Sequence, residues 1–462
     1  MLTGKHVLVL GLGESGLAMA QWCARNGASV RVADTRAAPP YLDELKRRLA
    51  NADFCPGEFD RRLLDGIDLV ALSPGLSPGL PLLTHARAQG VPVIGEIGLF
   101  AQGLRLLGVR ERTRVIAITG TNGKTTTTAL TGHLCRGAGK VTGVAGNISP
   151  AALTALMACQ DAGTLPEVWV LELSSFQLET LETLDAEAAT VLNISDDHLD
   201  RYVDLDDYAA AKARIFEGRG VQVLNRQDER VKRMAIPGRR LITFGLDAPG
   251  DAADFGLRDN RGEPWIVQGD TFLLPVSQLP LSGLHNAANA MAALALCAAI
   301  DAHDSLDAEA LLPGLREFRG LPHRVERVAE LCGVTWFDDS KGTNVGATVA
   351  ALEGLQRKVV VILGGDGKGQ DFSPLKPAIA RHGRAVVLIG RDGPAIAAAI
   401  AGCGVPVQTA ADMADAVRVA ARAAWAGDAV LLSPACASFD MFRNYEHRAQ
   451  VFVAAVQGLA QQ

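Results

Sequence analysis

Ala117-Ile118-Thr119-Gly120-Thr121-Asn122-Gly123-Lys124-Thr125-Thr126 is the stretch on which the fold turns. The apolar run leading into it reads as a buried strand, and Gly120 and Gly123 punctuate the turn that follows. Backbone N–H groups of such a turn face phosphate oxygens, and a helix starting at Lys124 adds the positive end of its dipole. On this reading Lys124 contacts β- and γ-phosphates while Thr125 offers its hydroxyl to Mg²⁺. Ile118 stands where G-x-x-x-x-G-K-[ST] has its first glycine. Gly-Lys-Thr after a strand is still hard to explain by packing, because a lysine gains nothing at a helix N-terminus. A nucleotide site is expected here.

The same strand–turn–helix grammar extends both ways. Upstream, HVLVLGLGESG, SVRVADTR, DLVALSPG and GVPVIGEIGLF alternate with helical stretches such as LAMAQWCARNG, a βαβ pattern that implies a parallel sheet. Downstream, KVVVILGGDGKG, RAVVLIG and DAVLLSPACAS repeat it. A chain of 462 residues accommodates about three domains at roughly 100–200 residues each. Boundaries fall near AQGLRLLGVRERT and REFRGLPHR, which divides the chain into residues 1–97, 98–320 and 321–462. The expectation is an α/β protein of three packed but hinged domains. Between Gly245 and Val276, apolar alternation mixed with Asp and Gly predicts β-hairpins.

Hydrophobic residues make up 48% and charged residues 21%, the balance of a soluble globular chain. Net charge is −6 with no Lys/Arg block, which argues against nucleic acid or an acidic membrane surface as partner. The eight cysteines are scattered, with no C-x-x-C pair, and suit a reducing cytoplasm. No apolar run reaches the ~20 residues needed to cross a bilayer. The N-terminal strand is too short and too soon interrupted for a signal peptide.

Gly11-Leu12-Gly13-Glu14-Ser15-Gly16 fits G-x-G-x-x-G, and Asp34 closes the next strand 18 residues past Gly16. Read alone, this favours a dinucleotide site in a nicotinamide-dependent oxidoreductase. That reading leaves GTNGKTT and DDHLDRY unexplained. A non-catalytic phosphate-loop switch protein is a third possibility.

GTNGKTT is followed by LELSSFQLE, NISDDHLDRY, YAAAKARIF, GLHNAANA, GLPHRVE, DDSKGTNVGAT, GGDGKGQDFS and SPACASFD. In this order, across nearly the whole chain, these motifs resemble the Mur ligases of peptidoglycan synthesis. The resemblance implies Rossmann-like N- and C-terminal domains, for a UDP-sugar and an amino acid, flanking a central P-loop-type ATPase domain. It implies a cytoplasmic, monomeric ligase that uses ATP and Mg²⁺ to add D-glutamate to UDP-N-acetylmuramoyl-L-alanine through an acyl-phosphate. There is no Asp-Asn-Pro-Arg run of the diaminopimelate-adding kind, and the third-domain motifs favour glutamate.

Residue by residue, the resemblance gives Gly120, Thr121, Asn122, Gly123, Lys124, Thr125 and Thr126 to ATP, with Asn286, Asn289, Arg324 and Asp339. Thr125, Glu172, His198 and a carbamylated Lys212 would hold Mg²⁺, at two sites. A carbamate turns a cation into an oxygen ligand, which a hard ion prefers. It requires a neutral amine, which burial supplies. Glu14, Ser15, Gly16, Thr35, Arg36, Ser73, Pro74, Gly75, Asn147 and His198 match the UDP-sugar site. Glu14 must then point away from the diphosphate. Arg324, Lys341, Thr343, Lys368, Ser438, Phe439 and Tyr445 match the glutamate site, where charged donors suit a dicarboxylate. Family members commonly carry Leu at the Phe439 position and Phe at the Tyr445 position. Lys124, Glu172, His198, Lys212 and Lys341 are the catalytic set.

Overall fold

The computed structural model describes residues 2–182, 184–197, 201–281, 283–300, 306–355 and 357–459. Its α/β architecture, with three largely parallel sheets, is the one the strand–turn–helix spacing predicts. In the first sheet, strands Asp53–Pro56, Ser29–Asp34, His6–Leu10, Leu69–Leu72 and Val93–Gly95 lie side by side, all parallel. Val7 and Val9 enter one apolar cluster while Leu8 and Leu10 enter the cluster on the opposite face. Burial on both faces is why this strand reads as a continuous apolar run.

The second sheet has nine strands. Its inner strand Arg114–Thr119 pairs in parallel with Val168–Glu172 on one side and Ala188–Val191 on the other. Ile118 lies opposite Glu172, and Thr119 lies opposite Val191. The C-terminal ends of these strands therefore open together onto one edge, where α/β sheets place their ligands. At the far end, Phe255–Asn260, Glu263–Gln268 and Thr271–Pro275 form an antiparallel meander, the hairpins expected there. Helix Leu284–Ile300 is apolar on nearly every face and is buried against helix Lys124–Gly137.

The third sheet has six strands. Glu326–Leu331 runs antiparallel to Val334–Asp338, and Ala429–Leu432, Val359–Gly364, Gly383–Ile389 and Val407–Thr409 follow in parallel. Its apolar clusters contain only its own residues. The first and middle domains instead share one core. Trp22 of the first domain joins one cluster with Phe100, Leu104, Leu153, Leu156 and Trp169 of the middle domain, where the Phe100 and Trp169 rings meet edge to face at 5.2 Å. Among the described residues no helix is long and apolar enough to cross a membrane.

Candidate active site

The turn after Thr119 has the geometry that its glycines announce. Gly123, at the cap of helix Lys124–Gly137, has φ +81°. A Cβ there would lie 2.5 Å from Asn289 Oδ1, so both conformation and space demand glycine. The loop is braced from the neighbouring strand end. Thr121 N donates to Asn193 O at 2.9 Å, and Asn122 N donates to Asn193 Oδ1 at 2.8 Å. Lys124 Nζ reaches back to the carbonyls of Gly120 and Thr121, at 2.8 and 2.7 Å. Asn286 and Asn289 come from the start of the buried helix, with Asn289 accepting from the Thr127 hydroxyl at 3.3 Å.

This loop forms one wall of a cavity of about 320 Å³. Thr121 to Thr126, Asn147, Glu172, Asp197, Asn286 and Asn289 line it from the middle domain, and Arg324, Asp339, Lys341, Thr343 and Tyr445 line it from the third. Glu172 is 2% exposed. One of its oxygens accepts from Asn147 Nδ2 at 2.8 Å, while Oε2 is buried with no hydrogen-bond partner. A buried carboxylate oxygen left unpaired is costly. With the Thr125 hydroxyl on the same wall, it makes an oxygen donor set of the kind Mg²⁺ takes. The residues fit a magnesium nucleotide. His198 lies outside the described residues.

Lys212 sits behind the loop, 1% exposed, and does not line the cavity. Its Nζ donates to Gly120 O at 3.0 Å, the carbonyl that Lys124 also uses, and lies 4.6 Å over the Tyr208 ring. Burial, reinforced by the charge of Lys124, pushes its amine well below the ordinary lysine range. Burial also lowers Lys124. Burial therefore favours the neutral amine at Lys212, the form a carbamate would need.

Arg324 crosses from the third domain to the loop, its Nη2 donating to Thr125 Oγ1 at 2.6 Å. Its neighbours His323 and Val325 have φ +64° and +49°, a left-handed excursion that β-branched valine strongly disfavours. Nδ1 of His323 lies 2.7 Å from the buried Asp338 carboxylate, which helps fix the excursion. Beside Arg324, Asn344 Nδ2 donates to Asn122 Oδ1 at 3.2 Å. Asp339 is buried and accepts from Ser433 Oγ at 2.6 Å; burial raises its carboxyl to about 7. Lys341 Nζ lies 5.1 Å above the Tyr445 ring and is lowered by burial.

Lys368, Ser438 and Phe439 do not line this cavity. Lys368 is exposed, Ser438 is buried, and Phe439 is 72% exposed. Backbone pairing of Asp366 with Ala437 joins their two loops beside the cavity. Arg448, which sequence reasoning missed, is fully buried and ties this segment to the cavity wall. It donates to Ser340 Oγ at 2.9 Å, Ser340 O at 2.7 Å and Cys436 O at 3.0 Å. Its place in an Arg- and Glu-bearing helix gave no signal of burial. Asn193 and Asn344 were also missed.

A second cavity, of about 410 Å³, lies at the C-terminal edge of the first sheet. Ser15, Thr35, Arg36, Ser73, Pro74 and Gly75 line it. Gly16 stands just behind, where a Cβ would fall 1.9 Å from Gly11 O. Asp34 is already engaged: it accepts from Leu12 N at 2.8 Å and from the Arg36 guanidinium at 2.7 and 2.8 Å. These bonds, Arg36 foremost, hold its carboxyl down to about 2. The acidic residue on which the dinucleotide reading depends is therefore spent on its own neighbour. Glu14 reaches the cavity rim, but its carboxylate turns to the middle domain, accepting from Ser149 Oγ at 2.8 Å and Ala151 N at 3.0 Å. Through these two bonds Glu14 is a bridge between the first and middle domains.

Three sequence models match in order: the Mur ligase MurD-like N-terminal domain over residues 5–95, the Mur ligase middle domain over 118–297 and the Mur ligase glutamate ligase domain over 323–436. The chain is 60% identical over 460 residues to a UDP-N-acetylmuramoylalanine–D-glutamate ligase of Aromatoleum aromaticum, covering 99% of this chain and 98% of that one. It is 58% identical to the protein of the same name from Dechloromonas aromatica, covering 99% of each. Among solved structures, the UDP-N-acetylmuramate-alanine ligase of Thermotoga maritima superposes with a TM-score of 0.59 at 20% identity, covering 98% of this chain and 100% of that one, a likeness of fold. Full-length identity and all three domain models agree: the chain belongs to the Mur ligase family.

Proposed function

We propose that the chain is an ATP-dependent ligase of peptidoglycan precursor synthesis that adds D-glutamate to UDP-N-acetylmuramoyl-L-alanine, releasing ADP and phosphate. The observation that carries this is the convergence on one cavity of the phosphate loop, Glu172 and the third domain's Arg324 and Lys341, in a chain 60% identical to a ligase so named. Residues 1–97 take the UDP-sugar, with Ser15, Thr35, Arg36 and Ser73 to Gly75 around the nucleotide. Residues 98–320 hold ATP on Gly120 to Thr126, and residues 321–462 bring D-glutamate.

Lys124 and the loop amides grip the phosphates, and Arg324 adds a second cation from the opposite wall. Thr125, Glu172, His198 and a carbamate on Lys212 would hold Mg²⁺, at two sites, and the metal would supply charge against the crowded phosphate oxygens. An L-alanyl carboxylate oxygen attacks the γ-phosphorus, and the bond to ADP breaks. Glutamate's neutral amine then attacks the acyl carbon, forming a tetrahedral oxyanion beside Lys341 and Arg324. Phosphate departs with the carboxylate oxygen, the amine loses its proton, and an amide remains. Third-domain contacts over the loop keep water from the acyl-phosphate. The proposed working unit is a cytoplasmic monomer, as the resemblance implies.

Phosphate release with ATP, Mg²⁺ and UDP-N-acetylmuramoyl-L-alanine, tried with D- and L-amino acids in turn, tests the proposal. Release should depend on D-glutamate. Equal release with L-glutamate or with no amino acid would remove the assigned specificity.

A further inference from the structure

The first-domain cavity and the central cavity must act as one site, and the Arg201 guanidinium ties a turn lining the first to the middle domain. Arg201 follows the segment carrying Asp197, which lines the central cavity. Its Nη2 donates at 3.0 Å to the carbonyl of Leu76. Leu76 lines the first-domain cavity, at the end of the Ser73-Pro74-Gly75 turn. The same guanidinium pairs with Glu179, just beyond the short helix Ser175–Leu178 that follows Glu172, and lies 4.6 Å over the Phe176 ring. Both charged side chains are largely buried, at 16% and 13% exposure. Ion pairs so enclosed hold their geometry, unlike solvent-screened ones.

We infer that Arg201 is a positioning residue, setting the first-domain Ser73–Leu76 turn in register with the central cavity so that a nucleotide-sugar bound there presents its carboxylate to the phosphate loop. The inference rests on the function proposed above. Glu14 pins the other rim of the same cavity to Ser149 and Ala151, so the turn held by Arg201 is the side left to be aligned. Arg201 reaches the turn through a backbone carbonyl and not through a side chain. Its effect therefore survives changes at Leu76 and requires only a donor fixed by Glu179.

Steady-state phosphate release by full-length Arg201→Ala, Arg201→Lys and Glu179→Gln tests this. In Arg201→Ala, KM for UDP-N-acetylmuramoyl-L-alanine should rise about tenfold, the scale of one lost charged hydrogen bond. KM for ATP and for D-glutamate should stay within about twofold, as they bind away from the turn. Arg201→Lys should recover part of the loss, since one donor and the charge remain. Glu179→Gln, which keeps Arg201 but frees it, should show the same selective rise in milder form, and it decides the matter if Arg201→Ala does not fold. Unchanged constants, or an equal rise for all three substrates, would overturn the positioning role. An inactive wild-type enzyme would instead overturn the parent reading.

Discussion

Two lysines donate to the same carbonyl, Gly120 O, and only one of them faces the cavity. Burial first, and the neighbouring Lys124 charge second, lower the Lys212 amine, which favours the neutral form that a carbamate requires. Lys212→Ala should lower turnover by about a hundredfold or more while the fold persists, as read by phosphate release beside thermal melting. Full activity in that variant would eliminate the carbamate. Gly123→Ala should cost about 1–2 kcal/mol of stability, from its left-handed φ alone, measured by urea unfolding. Gly123 and Lys124 were legible in sequence because a Gly-Lys-Thr run after a strand leaves a lysine that gains nothing at a helix N-terminus, whereas Lys212 was given only by the resemblance. Arg324 was legible only by resemblance. Its aim depends on left-handed His323 and Val325, which no local propensity favours. The turning of Glu14 was equally hidden, because its partner Ser149 is 135 residues away.

At the scale of elements, strand order explains which neighbours meet. Parallel strands with both faces buried announce themselves as apolar runs, so the sheets were readable. Contacts between helices of different domains were not. Helix Ala152–Asp161 begins against two first-domain carboxylates, Glu14 at Ala151 N and Glu96 at Leu153 N, 2.7 Å. Glu96 is fully buried, one of its oxygens lacks a partner, and burial raises its carboxyl to about 7. The folded state therefore holds this proton more tightly than the unfolded chain does. Stability from it is complete below the ordinary glutamate value and drains away as pH rises through about 7. Glu96→Gln, which stays neutral, should gain on the wild type by at most about 3 kcal/mol at alkaline pH, with the gain vanishing near the ordinary glutamate pKa. Denaturant unfolding across pH checks this, and a pH-independent difference would contradict the assigned cause. Lys368, Ser438 and Phe439 belong to the same lesson. Their motifs were visible, but the Asp366–Ala437 pairing that sets them beside the cavity is tertiary.

Across the whole molecule the two domain junctions differ in kind. The first and middle domains share an apolar core that includes Trp22 and Trp169, whereas the third keeps its clusters to itself and touches the phosphate loop through Arg324 and Asn344. Polar junctions open more readily than shared cores. The third domain is therefore the part expected to move, and Arg324 the contact expected to report closure. Arg324→Lys, lacking the planar fork, should raise KM for ATP by about tenfold with the fold intact; an unchanged KM would place Arg324 outside the nucleotide site. The central claim is that a carboxylate takes the terminal phosphoryl group at Gly120 to Thr126. The most direct test uses UDP-N-acetylmuramoyl-L-alanine whose terminal carboxylate carries a heavy oxygen isotope, with mass analysis of the phosphate released. Transfer of one labelled oxygen to phosphate in each turnover is the predicted result. Phosphate free of label, with amide still formed, would contradict the acyl-phosphate and the use of the loop proposed here.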